Sequence, residues 1–311
     1  VIRPDGPNPI DPSEYPILSR YIGTTIVTSD GTTLLGADDK AGVAAIMAAT
    51  RVLVTDPPFE HGPVEMIFTT DEEIGTGMDA FPVDAISSRA AYTVDGEGEG
   101  ELETACFNAA AVRATFTGTV IHPGYARGKL GNAITAAGMF LSMLPRSESP
   151  EATDGPFGFY CPTGVEGRMA ESRVNLIIRD FQRSEVDRRL AAVRSFADAV
   201  CAAIPGVSAD IAVTEQYRNM TEVMEQHPRV SELALQAIRE TGMEPVQKSI
   251  RGGTDGARLS FMGVPTPNLF SGAQNMHGPR EWVALQAMER AAQVVLNLVR
   301  LWADEPAEPA R

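Results

Sequence analysis

The chain of 311 residues has only three cysteines, Cys106, Cys161 and Cys201, an odd number set far apart. No disulfide framework is expected, and a reducing, cytoplasmic setting fits best. None of the three stands in a Cys-x-x-Cys spacing, so metal binding through sulfur has no basis. Basic residues are scarce as well: 26 lysines and arginines face 41 aspartates and glutamates, for a net charge of -15. That balance argues against a nucleic-acid partner, whose phosphates call for basic patches. No apolar run approaches the roughly 20 residues needed to span a bilayer, and the N-terminal stretch has none of the features of a signal peptide, so no membrane partner is expected. The Gly-x-Ser-x-Gly elbow of serine hydrolases is missing, and Gly252-Gly-Thr-Asp-Gly256 lacks the lysine and serine spacing of a phosphate-binding loop. What is left is an ordinary globular composition, 43% apolar and 22% charged, in a chain long enough for two domains.

Two adjacent carboxylates, Glu72 and Glu73, follow the apolar run Val64, Met66, Ile67 and Phe68. The run reads as a buried strand that delivers the pair to its end. Neighbouring residues leaving a strand point in different directions, so one carboxylate can bind a metal while the other reaches a metal-bound water. Taken alone, an acidic turn capping the next segment would be the plainer reading, but the arrangement recurs. Asp38 and Asp39 stand where an extended segment meets a helix, Asp95 closes a short strand before Gly96, and Thr266-Pro-Asn-Leu-Phe270 leads into a loop carrying His277. In open α/β sheets, ligands gather outside the carboxyl ends of the strands, which would bring these endings to one site. A set of oxygen donors with one imidazole suits zinc, manganese or cobalt rather than calcium or copper.

Helix-like and strand-like segments alternate over the first hundred residues, as a mostly parallel sheet flanked by helices requires. From about Phe107 the pattern changes to strand, helix from Asn132 to Leu144, two strands, helix from Ser184 to Ile204, and strand through Ile211 and Val213. This β-α-β-β-α-β order is the ferredoxin-like split motif. The expected organisation is a catalytic domain over 1–106 and 219–311, interrupted by an α+β unit over 107–218. Such an insertion suits a lid. His227 opens a helix with Pro228 in its first turn and is read as structural. Thr254 is read as an N-cap.

Six stretches taken together resemble a known family, the co-catalytic zinc aminopeptidases and deacylases, and among them the tripeptide aminopeptidases. They are Gly36-Ala-Asp-Asp-Lys-Ala-Gly42, Thr69-Thr-Asp-Glu-Glu-Ile-Gly75, Tyr92-Thr-Val-Asp-Gly96, Ile121-His-Pro-Gly124, Arg251-Gly-Gly-Thr-Asp-Gly256, and Asn268-Leu-Phe-Ser-Gly272 followed by His277-Gly278. The resemblance implies two zinc ions bridged by Asp38, with Asp95 on the first and Glu73 and His277 on the second. It implies Glu72 as general base, His122 as the group that polarises the scissile carbonyl, and Arg251 and Asn132 as substrate-binding residues. A planar guanidinium at Arg251 would suit a terminal carboxylate. The implied substrate is a short peptide, and the implied assembly is a homodimer through the inserted unit.

One feature departs from the family pattern. Members carry a His-x-Asp motif well ahead of Asp-Asp-Lys, and no histidine precedes His61 here. The first ion would keep only Asp38 and Asp95, whereas the second keeps Asp38, Glu73 and His277. The expectation is a shortened copy, opening on Val1, in which peptidase activity is impaired. A non-catalytic peptide-binding or dimerising remnant and a related metal-dependent amidase or deacylase stay open as alternatives.

Overall fold

The computed structural model describes residues 1–306. It comprises two compact units: Val1–Ala105, Met220–Ser249 and the chain from Thr254 onward form the first, and Cys106–Asn219 with Ile250–Gly253 form the second. Along the chain, the first unit opens with β1 (Ile26–Thr28), α1 (Ala37–Thr55), β2 (Thr93–Gly96) and β3 (Glu101–Cys106). The second follows with β4 (Asn108–Gly118), α2 (Ala133–Met143), β5 (Phe159–Gly167), β6 (Glu171–Asp180), α3 (Arg183–Ala203) and β7 (Val207–Tyr217). The chain then passes through α4 (Thr221–Gln226), α5 (Pro228–Arg239), β8 (Val246–Ile250), α6 (Asp255–Phe261), β9 (Asn268–Phe270), β10 (Ala273–Gln274), β11 (Trp282–Ala284) and α7 (Leu285–Ala303).

The second unit is a four-stranded antiparallel sheet in the order β5-β6-β4-β7, against which α2 and α3 pack. Alternate residues of β4 (Ala110, Val112, Ala114, Phe116) and of β6 (Val174, Leu176, Ile178) are buried, as period-two patterning requires. They meet Phe140 of α2 and Val186, Val193 and Val200 of α3 in one core. The order and connections are those of the ferredoxin-like split motif. One buried ion pair, Arg189 with Asp180 at 2.7 Å, stitches the start of α3 to the end of β6.

In the first unit β2 runs parallel to β9, and β3 runs antiparallel to β9, within the order β2-β9-β3-β8. The sheet is therefore mixed rather than mostly parallel. Only residues 97–100 separate β2 from β3, and a parallel return needs a crossover of a dozen or more residues. A second small sheet, β1-β11-β10, is antiparallel throughout. Helix α1 buries Ala37, Ala41, Ala45 and Ala49, spaced four apart on one face, so its backbone approaches its neighbours closely. The approach is tightest at Gly42, where an added Cβ would lie 1.8 Å from the carbonyl oxygen of Val94. Only glycine lets α1 lie this near β2, and that proximity sets Asp38 and Asp39 beside Asp95.

Residues 64–68 do not form the expected buried strand. Segment 56–92 has no strand or α-helix, and Val64, Met66, Ile67 and Phe68 are 40, 44, 39 and 50% exposed. A strand is held by its ladder, and this stretch pairs with no neighbouring strand. It is tethered by a side chain instead: the Glu65 carboxylate accepts hydrogen bonds from the backbone N–H of Ser87 and of Ser88, and from both hydroxyls. Those donors hold the Glu65 carboxyl down at about 2. His227 precedes α5 with Pro228 in the first turn, and the Thr254 hydroxyl accepts from the N–H of Ala257 at 3.1 Å, both as expected.

Replacing Gly42 with alanine should lower stability by at least about 1–3 kcal/mol, the usual cost of overpacking a closed contact. Urea unfolding of the Gly42→Ala chain checks this, and an unchanged midpoint would mean that α1 and β2 are not so close.

Candidate metal centre

Helix α1 starts after Gly36, whose φ of +67° suits glycine, and Asp38 and Asp39 keep non-helical dihedrals inside its first turn. The peptide bond between them is cis. The Asp39 side chain accepts from the N–H of Gly42 at 3.0 Å and caps the helix. Lys40 donates to the carbonyl of Leu35 at 2.7 Å. The Asp38 Oδ2 lies 2.8 Å from Nε2 of His277. The same nitrogen lies 3.5 Å from Oε2 of Glu73. One ligand atom from each of Asp38, Glu73 and His277 falls within 4.8 Å of the others, so the three could share a cation.

Three loops deliver these groups. Glu72 and Glu73 open a short 3-10 turn, Glu72–Ile74, entered through Asp71 at φ +64°. His277, in the loop between β10 and β11, has φ +62°. Left-handed backbone at non-glycine positions costs of order 1–3 kcal/mol and persists only where contacts fix it. Asp95 comes from β2, and its Oδ1 is buried without a hydrogen-bond partner. A buried carboxylate oxygen left unsatisfied suits a cation better than it suits a bare protein interior. Burial raises the Asp95 carboxyl well above the ordinary range, and the charges of Asp39 and Asp38 add to that. Asp39 moves the same way, chiefly through burial. Glu72 is raised to about 7 by burial first, then by the charges of Asp255, Glu73 and Asp38, against a smaller opposing effect of His277. This donor set fits a divalent cation.

Three further residues complete the site, and sequence reasoning assigned none of them a role there. Asp255, at the start of α6, is buried and accepts from the Thr69 hydroxyl at 2.7 Å. Asn268 accepts from the N–H of Asp95 at 3.2 Å and donates to Glu103 at 2.6 Å. Glu281, 1% exposed, accepts from the backbone N–H groups of Gly36 and Asp38. A signal existed for Glu281, since an acid directly before the buried run Trp282-Val283-Ala284 needs a partner. Asp255 and Asn268 stood inside stretches already singled out.

The carboxylates Asp38, Glu72, Glu73, Asp95 and Asp255 border a cavity of about 680 Å³, together with apolar residues such as Val64, Phe68 and Leu259. The other expected site residues belong to the second unit. His122 is exposed, with Nδ1 accepting from the N–H of Gly124 at 3.1 Å. Asn132 caps α2 by accepting from the N–H of Ile134 at 2.9 Å. Arg251 donates from Nη1 to the carbonyls of Gly155 (2.6 Å) and Phe157 (2.8 Å), and from Nη2 to Thr153, and it stacks over Phe107. Its guanidinium clamps the 153–157 loop.

Fold and site together define a hydrolytic enzyme, a peptidase. The chain belongs to Peptidase family M20/M25/M40, whose model matches residues 30–301. It is similar to Peptidase T of Clostridium perfringens (strain SM101 / Type A), at 43% identity over 95% of this chain and 73% of the relative. It is likewise similar to Peptidase T of Caldanaerobacter subterraneus subsp. tengcongensis, at 45% identity over 93% and 71%. Among solved structures, aminopeptidase PepT from Bacillus cereus ATCC 10987 matches with a TM-score of 0.74 at 27% identity, over 88% of this chain and 73% of its own.

The raised carboxyls give stability a definite pH dependence. Glu72 holds its proton up to about 7 when folded and releases it in the ordinary range when unfolded. Between those values the folded state binds more protons, so unfolding free energy falls as pH rises. Chelator-treated protein should therefore melt at a lower temperature at pH 8 than at pH 5.5, and a divalent cation should restore more stability at pH 8. Scanning calorimetry at the two pH values, with and without cation, checks both signs.

Proposed function

We propose that this chain is a metal-dependent aminopeptidase, with zinc as its metal, that releases the N-terminal residue of short peptides, tripeptides foremost. The observation that carries the reading is the meeting of Asp38, Glu73 and His277 within 4.8 Å, beside a Glu72 carboxyl that titrates near 7. The names of the relatives, Peptidase T and an aminopeptidase, supply the substrate class. The free cysteines accord with a reducing cytoplasm.

Asp38, Glu73 and His277 would hold one ion, and Asp95 with Asp38 would hold a second. A divalent cation there supplies Lewis acidity, polarising a scissile carbonyl and easing the loss of a proton from water. Glu72 is the base: with a pKa near the working pH it takes the proton of the attacking water and hands it to the departing amine nitrogen. Burial does the tuning, as desolvation disfavours the charged carboxylate and the neighbouring charges of Asp255 and Glu73 reinforce the effect. The apolar part of the cavity wall offers room for side chains of a short peptide. His277 would offer the cation Nε2, the ring atom that already lies 2.8 Å from Asp38 and 3.5 Å from Glu73.

Changing Glu72 to glutamine keeps the shape and removes the base, so peptide turnover should fall by about 10²–10⁴-fold. Metal content should stay the same, since Glu72 is not a ligand. Tripeptide hydrolysis alongside elemental analysis of the Glu72→Gln protein tests this, and retained turnover would remove Glu72 from the mechanism.

The ligand sets also differ in strength. Three groups, one of them an imidazole, surround the position between Asp38, Glu73 and His277, whereas the position between Asp38 and Asp95 has two carboxylates and no imidazole among the described residues. Zinc titration should therefore reveal about one tight equivalent, with turnover low to match. Two tight equivalents with full turnover would show that Asp38 and Asp95 suffice.

A further inference from the structure

Glu281 is a buried carboxylate that the proposed chemistry does not use. It is 1% exposed and, among the described residues, forms no ion pair. Its two oxygens have separate tasks: Oε1 accepts from the N–H of Asp38 at 2.9 Å, and Oε2 accepts from the N–H of Gly36. Both donors flank Ala37 at the turn that launches Asp38. Glu281 itself stands four residues after His277, and its own N–H donates to the carbonyl of Gly278 at 3.1 Å. One side chain thus ties the turn carrying one ligand to the loop carrying another, across 243 positions of sequence.

The anchor is rigid. Trp282, the next residue, is fully buried, packs edge-on against Tyr21 with ring centroids 5.1 Å apart, and pairs with both β1 and β10 through β11. Of the two tethered segments, the His277 loop has left-handed backbone at a non-glycine residue, φ +62°, which contacts must fix. Neutral amide donors are a fitting counterpart to Glu281, because they fix it without adding a positive charge that would compete for Asp38.

We infer that Glu281 is a positioning residue for the metal centre: it locks the Asp38 turn to the His277 loop, so that the two ligands are set before a cation arrives. The inference rests on the reading of Asp38, Glu73 and His277 as ligands, and it deepens that reading. A carboxylate is specifically required, since both oxygens must accept. Glutamine would turn an N–H₂ toward a backbone N–H and lose one of the two contacts. Outer groups that orient ligands commonly carry 10–100-fold in metal affinity, and Glu281 is expected in that range.

The test uses the full chain, titrated with cobalt(II) against a chromophoric chelator, with melting temperatures recorded for the cation-free proteins. Glu281→Gln should bind cobalt at least about tenfold more weakly than wild type, with an altered visible spectrum. Glu281→Asp, which keeps the charge but has a shorter reach, should fall between them and serves in its place if the glutamine variant does not fold. Leu18→Ala, in the same buried cluster as Trp282, is the control: it should lower the melting temperature and leave cobalt affinity and spectrum unchanged. Wild type that binds no cobalt would overturn the ligand reading and this inference with it. Wild type that binds while Glu281→Gln binds equally well, with the same spectrum, would overturn the role of Glu281 alone. Equal weakening by Leu18→Ala at a matched loss of melting temperature would also overturn it, reducing Glu281 to a structural part.

Discussion

Like charges crowded around one cavity are the constraint from which the rest of this molecule follows. Asp38, Asp39, Glu72, Asp95 and Asp255 line a single space. Two unit charges about 4 Å apart repel by about 4 kcal/mol at an effective dielectric constant of 20, so several such pairs would rival the whole stability of a domain. The cluster has two ways out. It can hold protons, and the raised carboxyls of Asp39, Glu72 and Asp95 show that tendency. It can also hold cations, which is the resolution that yields chemistry.

The scaffold meets this constraint with dipoles rather than with arginine or lysine. Asp39 takes the N–H of Gly42, Asp255 takes the hydroxyl of Thr69, and the backbone of Asp95 is steadied by Asn268, itself held by Glu103. The basic side chains at the cavity wall are engaged with carbonyls rather than with these carboxylates, Lys40 with Leu35 and Arg89 with Pro306, and nearby Arg258 pairs with Asp79. A fixed positive side chain among the ligands would quench them and repel a metal ion, whereas N–H and O–H groups orient a carboxylate and leave its charge available. The closeness that makes this geometry possible comes from the alanine face of α1 and from Gly42 against Val94.

Much of this was legible in the residues. The inserted β-α-β-β-α-β unit could be read because β4 and β6 alternate strictly and α2 and α3 are bounded by clear signals, Asn132 at one start and Pro145 past one end. Asp38, Glu73 and His277 drew notice as donors at element ends, and the role expected of each came from the family resemblance of the stretches that hold them. Residues 64–68 misled, since an apolar run reports a preference for burial but not whether a partner strand will lie alongside. Arg251 shows another limit: its charge and its place in a motif said nothing of the carbonyls of residues 153–157, which form hydrogen bonds with its guanidinium. Glu281 and Asn268 act on backbone groups far away in sequence, and although an acid before a buried run signals that Glu281 needs a partner, no local pattern names that partner.

The ligands arrive on loops held by few contacts, and this has an energetic consequence. His277 is 70% exposed at its side chain and sits on left-handed backbone, and Glu73 is 56% exposed on a single 3-10 turn. The His277 loop is seated by Met276 against Ala37 and Val283 and tied through Glu281 to the Asp38 turn, whereas the turn carrying Glu73 has no buried residue of its own. A cation that prefers the ordered arrangement stabilises it by mass action, and by linkage any contact that pre-orders the loops tightens the cation. Metal affinity, loop order and the proton held by Glu72 are therefore three expressions of one equilibrium, because each changes the charge or the spacing that the other two experience. A substitution that loosens the ligand loops should weaken the cation and shift the Glu72 proton together, and that joint response separates a residue that orders the ligands from one that only supports the fold.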